Sequence, residues 1–167
     1  METSVSVRRL NFFFILLTLP TSVAAQQQSL GIFGLWGAFR DDGRCYAISE
    51  PVRARAEQGQ RPFVAVGHRP GAGGGQLHVR LGREKRQGSA VLVRIDGRSF
   101  QLIGAGRDAW APDAAADAEI QSAMRTGVDL HVESRSVRGT RFREEYRLSG
   151  AATAMDAAAI GCLPRRG

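Results

Sequence analysis

The sequence predicts a mainly β domain, an antiparallel β-sandwich or partly closed barrel with two short helices. Three observations carry that expectation. Apolar residues recur at every second position in several segments, as in Leu77, Val79 and Leu81 with His78 and Arg80 between them, which is the period of a half-buried strand. Strand segments follow one another directly, without the alternation of strand and helix that builds parallel sheets. Asp96-Gly97 stands between the apolar runs Val91–Ile95 and Arg98–Leu102, and such a pair marks a tight hairpin because both turn positions need positive φ.

Along the chain, residues 1–25 read as a cleavable export signal. Arg8 and Arg9 precede the apolar stretch Leu10 to Leu19, Pro20 ends it, and Val23-Ala24-Ala25 supplies small residues for a cut after Ala25. That stretch is shorter than the ~20 residues a membrane-spanning helix needs. Gln26, not a cysteine, stands immediately after the cut, which argues against lipoprotein processing. Removing these residues from the 167 leaves 142, the size of one domain over residues 26–167. No second long apolar run occurs, so no transmembrane segment is expected after cleavage.

Gly31 to Arg40 is apolar and aromatic and reads as a first strand, bulged at its glycines. Asp41-Asp42-Gly43 is a turn, Cys45 to Ile48 a second strand, and Pro51 to Arg61 a polar loop. Pro62 to His68 is the next strand, and a flexible run from Pro70 to Gly75 leads to the alternating Leu77–Leu81. After the Asp96-Gly97 hairpin the period changes. Asp113 can cap a short helix to Arg125, with Ala116, Ile120 and Met124 on one face and Gly127 as its stop. Val128, Leu130 and Val132 then form an apolar face, as do Phe142, Tyr146 and Leu148 of the next strand. Ser149 can cap a closing Ala-rich helix with Met155, Ala159 and Ile160 inward and Gly161 as its stop, before a short basic tail. The count is about eight strands and two helices, with no internal repeat.

The predicted mature chain carries 21 basic and 15 acidic residues, a formal charge of +6. Net positive charge attracts anionic partners. Lys85 is the one lysine, however, and the arginines are scattered and interleaved with acids, as in Arg83-Glu84-Lys85-Arg86 and Arg143-Glu144-Glu145. A solvated surface is the plainer reading, and no nucleic-acid partner is expected. Two cysteines without CxxC spacing, in a chain read as exported, point to one structural disulfide between Cys45 and Cys162, clasping the first strands to the last residues.

No catalytic residue can be named. The glycine run lacks the Gly-Lys-Ser/Thr ending and following helix of a phosphate loop. His68, His78 and His131 stand at no metal-ligand spacing, so neither a metal nor another cofactor is expected. There is no Gly-x-Ser-x-Gly turn, and no carboxylate pair stands out. Trp36, Phe39 and Tyr46 read as core aromatics before they read as a ligand platform.

The segment Phe33-Gly34-Leu35-Trp36-Gly37-Ala38-Phe39, followed by Cys45-Tyr46-Ala47-Ile48-Ser49-Glu50-Pro51, resembles the N-terminal signature of the invasion-associated locus B family of exported bacterial proteins. The stretch Ala123-Met124-Arg125-Thr126-Gly127 before the strand Val128–Glu133, and Leu148-Ser149-Gly150 before a small-residue helix, fit the same pattern. The resemblance implies a mainly β, periplasmic or outer-surface associated protein, some of whose relatives are linked to host-cell entry. The functional expectation is therefore a non-enzymatic binding protein with an envelope or host-surface protein as partner, its binding residues unspecified. A periplasmic hydrolase with an unrecognised site is one alternative. Polyanion binding through arginines such as Arg141, Arg143 and Arg147 is another.

Overall fold

The computed structural model describes residues 27–71 and 73–163; the segment 1–25 read as an export signal and the end of the basic tail lie outside the described residues. The first apolar segment does not run as one strand. It folds into a hairpin of β1 (Gln28–Phe33) and β2 (Trp36–Asp41), with Gly34 at the turn in left-handed geometry, φ +60°. The glycines read as bulges include this turn, while the register shift itself falls between Ser29 and Gly31.

The remaining strands are β3 (Arg44–Ser49), β4 (Phe63–His68), β5 (Gln76–Arg80), β6 (Val91–Ile95), β7 (Arg98–Ala105), β8 (Asp108–Trp110), β9 (Asp129–Arg135) and β10 (Arg141–Arg147). They form one antiparallel sheet in the order β1-β2-β3-β4-β5-β8-β7-β6-β9-β10. β7 joins its two halves: Arg98–Leu102 pair with β6, and Ile103–Ala105 pair with β8. The fold is thus mainly β with two short helices, and its sheet stays open. At the free edge of β10 a partial closure occurs, where the Val52 N–H donates to the Glu145 carbonyl at 2.7 Å and the Glu145 N–H donates to that of Arg53 at 2.8 Å. β8 is the element the sequence hid, because three residues are too few to show a period.

Asp96 and Gly97 take φ of 44° and 87°, the positive pair their hairpin requires. Helix α1 (Ala114–Thr126) begins at Asp113, whose carboxylate accepts from the Ala116 N–H at 2.8 Å, and buries Ile120 and Met124 as expected. It ends at Gly127, which is extended and lies where a Cβ would stand 2.6 Å from Ile95. Val128 is solvent-exposed, just ahead of β9, so the inward face of that strand is Leu130 and Val132.

The closing helix α2 (Ala151–Gly161) corrects the expectation in three places. Its first turn is preceded by Gly150 at φ +91°, not capped by the Ser149 side chain, because a Cβ at Gly150 would stand 1.9 Å from the Phe33 carbonyl oxygen. Its buried side is Ala151, Ala154, Met155 and Ala158, whereas Ile160 is exposed. Gly161 is the last helical residue, pressed against Leu30, and Cys162 follows as the cap. α2 lies against β1–β4, and α1 against β5 and α2, so both helices cover the inner face of the first half of the sheet. One core results, running from Trp36 and Val64 through Val93 and Leu130 to Met155.

The segments that carry the family resemblance meet in space. Trp36 is fully buried and its indole N–H donates to the Arg147 carbonyl at 2.8 Å. The Ser49 hydroxyl donates to the Leu35 carbonyl at 2.8 Å, and Gly150 abuts Phe33. Cys45 and Cys162 form the expected disulfide, with Cα atoms 5.6 Å apart across 117 residues of sequence. In the chain-entropy account, closing so long a loop stabilises the fold by at most about 4–5 kcal/mol.

Candidate binding face

Among the described residues, helices cover the first half of the sheet on one side only. On its other side the strand register draws a line of side chains across seven strands. Ile32 lies opposite Gly37, Gly37 opposite Ile48, Ile48 opposite Ala65, Ala65 opposite His78, His78 opposite Trp110, and Trp110 opposite Ile103. A second line beside it runs Phe39, Tyr46, Gly67, Gln76. The strand period sends the alternate residues, among them Ala47, Val64, Val66, Leu77 and Val79, into the core. An outward surface of aromatic and aliphatic side chains is left, on which Ile32 and Ile103 are 67% and 56% exposed.

A cavity of about 600 Å³ opens on this surface, walled by Tyr46, Ile48, Phe63, Gln76, His78 and Trp110, with the exposed Arg44 and Arg69 also on its lining. Its depth follows from β4, which offers only Ala65 and Gly67 between the larger residues of β3 and β5. The rings on one side hold each other in place. His78 stacks on Trp110 with centroids 5.2 Å apart and planes 5° from parallel, and Phe63 meets His78 edge-on at 5.1 Å. Asp108 fixes the imidazole from its far side, 2.8 Å from Nε2, and also receives Arg80 at 3.1 and 3.2 Å. On the other side Phe39 tilts against Tyr46 at 5.9 Å, and the Gln27 amide donates to the Tyr46 hydroxyl at 2.7 Å. Burial raises the Tyr46 pKa, keeping the phenol protonated. Rings locked before a ligand arrives lose little entropy when it binds.

Of the three aromatics read as core, only Trp36 is fully buried; Phe39 and Tyr46 belong to this outward face. The three histidines are dispersed. His78 is on the face, and His68 is opposite Cys45 at the end of β4 with its pKa lowered by burial. His131 is on β9, opposite Arg94 and Glu145. Among the described residues no cluster of histidine, cysteine and carboxylate side chains could hold a metal ion. The glycine run joins β4 to β5 as a loop, and its last residue, Gly75, accepts from the Gln121 amide of α1 at 2.8 Å.

Sequence reasoning missed Phe63, Asp108 and Trp110 as members of one surface. The parity of Phe63 against Val64 and Val66 was a usable signal, but the pairing of β5 with β8 that brings Trp110 to His78 is not local. It also passed over Glu144, which parity places inward between Phe142 and Tyr146. That carboxyl is 1% exposed, accepts from the Gly82 N–H at 2.7 Å and faces the Tyr146 hydroxyl at 3.3 Å. Burial pushes its pKa up to about 7 against the hydrogen bond from Gly82.

A His–Asp pair invites comparison with acyl-transfer sites, which also need a hydroxyl or thiolate nucleophile within reach of the imidazole. Among the described residues lining the cavity there is no serine or threonine, Cys45 is committed to its disulfide, and the one hydroxyl is that of Tyr46, held by Gln27 on the opposite wall. The arrangement is suited to holding a ligand. Comparison of the chain with protein-family models, with curated proteins and with solved structures finds no match.

Proposed function

We propose that this chain is an exported envelope protein of the invasion-associated locus B type, and that it works by binding a protein partner through the outward aromatic face. The observation that carries this reading is the ring cluster Phe63, His78 and Trp110, preorganised beside a cavity on a sheet face that no helix of the described residues covers. A rigid aromatic patch with polar surroundings is the composition of an interface centre. The partner segment it fits carries an apolar or aromatic anchor flanked by carboxylates, complementary to Arg44 and Arg69. The disulfide supports an oxidising compartment, periplasmic or at the outer surface. The convergence of Trp36, Ser49 and Gly150 supports the family reading, since the residues of the resemblance have a common structural task. Host-cell association is the wider role that reading proposes.

The test is a crosslinking pull-down from intact cells with the wild-type chain and with Phe63→Ala/Trp110→Ala. Reproducible recovery of one envelope or host-surface protein, lost in the double variant while the disulfide and the circular dichroism spectrum are unchanged, is the expected result. Equal recovery by both chains contradicts the assignment of the face, and recovery of no partner contradicts the binding role.

A further inference from the structure

We infer that the outer face of the second half of the sheet holds a separate site for a polyanionic saccharide, centred on Arg135 and Arg141. The two arginines are directly opposite each other on β9 and β10, both exposed. Like charges so placed repel and destabilise a ladder. Among the described residues nothing acidic relieves them: the Arg135 side chain donates to the Gly139 carbonyl at 3.2 Å, and the Arg141 side chain has no hydrogen bond or ion pair.

Further along the same face Arg94 of β6 and Arg143 of β10 share the Glu133 carboxylate. Glu133 receives Arg94 at 3.0 Å and Arg143 at 3.8 Å. These groups line a cavity of about 690 Å³ whose wall also carries Ser89, Leu92 and Phe142. The four guanidinium groups face the Glu133 carboxylate, and Arg143 also reaches Glu145 at 4.0 Å, a carboxylate shared with Arg53, so a surplus of at least two positive charges is left in a concave site. Guanidinium forks match sulfate, phosphate and carboxylate groups, while a hydroxyl and apolar side chains suit the sugar ring between them. A recess of this kind admits a chain segment; a flat bilayer surface reaches it poorly, which favours a soluble polymer over a membrane. Arg147, which the sequence grouped with Arg141 and Arg143, is not part of the site, since it pairs with Asp129 at the other end of the β9–β10 ladder.

Heparin and polygalacturonate serve as sulfated and carboxylated probes, with neutral dextran as control and vesicles containing anionic phospholipid as the membrane arm. Affinity is measured over a salt series for the wild-type chain, Arg135→Gln/Arg141→Gln and Arg147→Gln. Binding to a polyanion should weaken steeply with salt, and the double variant should lose about tenfold or more in affinity with a salt slope smaller by about 2. Arg147→Gln should stay within about twofold of wild type. The double variant should also melt no lower than wild type, because the repulsion between Arg135 and Arg141 is gone. Absent or salt-insensitive binding overturns the inference. Equal losses in the double variant and Arg147→Gln do so too, because they mean diffuse charge. Binding to vesicles alone assigns the arginines to a membrane and overturns it as well.

Discussion

Replacing Glu144 by glutamine should flatten the pH dependence of stability. The carboxyl is buried against the Gly82 backbone and Tyr146, with Arg83 acting on it and Glu50 on Tyr146 as further charges. Its pKa rises from 4.5 to about 7, first because of burial. A raised folded-state value means that the folded chain holds this proton more tightly than the unfolded one. The associated stability is fully present below 4.5 and is lost as pH rises through about 7. Two and a half pH units correspond to about 3 kcal/mol as a ceiling, of which roughly 2–3 kcal/mol falls between about pH 5 and pH 8. Glutamine keeps an oxygen for the Gly82 N–H and cannot ionise. Urea unfolding of both proteins at the two pH values is the assay. Asp117, also raised by burial, contributes equally to both and cancels. The difference in unfolding free energy between variant and wild type should shift by about 2–3 kcal/mol in favour of the variant on going to the higher pH. A difference that is the same at both values refutes the account of Glu144 as a carboxyl that folding keeps protonated.

Breaking the Cys45–Cys162 clasp, as Cys45→Ala/Cys162→Ala, should lower stability by up to about 4–5 kcal/mol through the unfolded chain, read as a fall in Tm that reductant reproduces in the wild type and not in the variant. Trp36→Phe should cost about 1–3 kcal/mol in denaturant unfolding, because it removes the indole N–H that bonds the part-buried Arg147 carbonyl. Asp113→Ala should cost about 1 kcal/mol by leaving the Ala116 N–H at the start of α1 without its acceptor.

The elements legible in the sequence were those written locally. Asp96-Gly97 specifies its turn by the φ values both residues must take, Leu77–Val79–Leu81 sort themselves by parity, and Asp113 marks the start of α1 by capping chemistry. Misreadings arose where a distant neighbour decides. The Gly34 turn divides β1 from β2 because Trp36 must reach Arg147. Gly150, not Ser149, opens α2 because the Phe33 carbonyl leaves no space for a side chain. Met155 is buried and Ile160 exposed because α2 rests on β1–β4 along its alanine side, where close approach of helix and sheet outweighs the hydrophobicity of a single isoleucine. The outward aromatic face is half legible. Phe39 and Tyr46 stand out in the sequence as aromatics, but their membership of a common surface with Phe63 and Trp110 depends on a register that runs across seven strands.

A photo-crosslinking side chain at Ile48, in the middle of the outward row, tests the binding account most directly. Installed in the chain within intact cells, it should yield a discrete adduct with one partner protein on irradiation, while the same group at the exposed Val128 yields none. Adducts of equal intensity from both positions, or none from Ile48, contradict it.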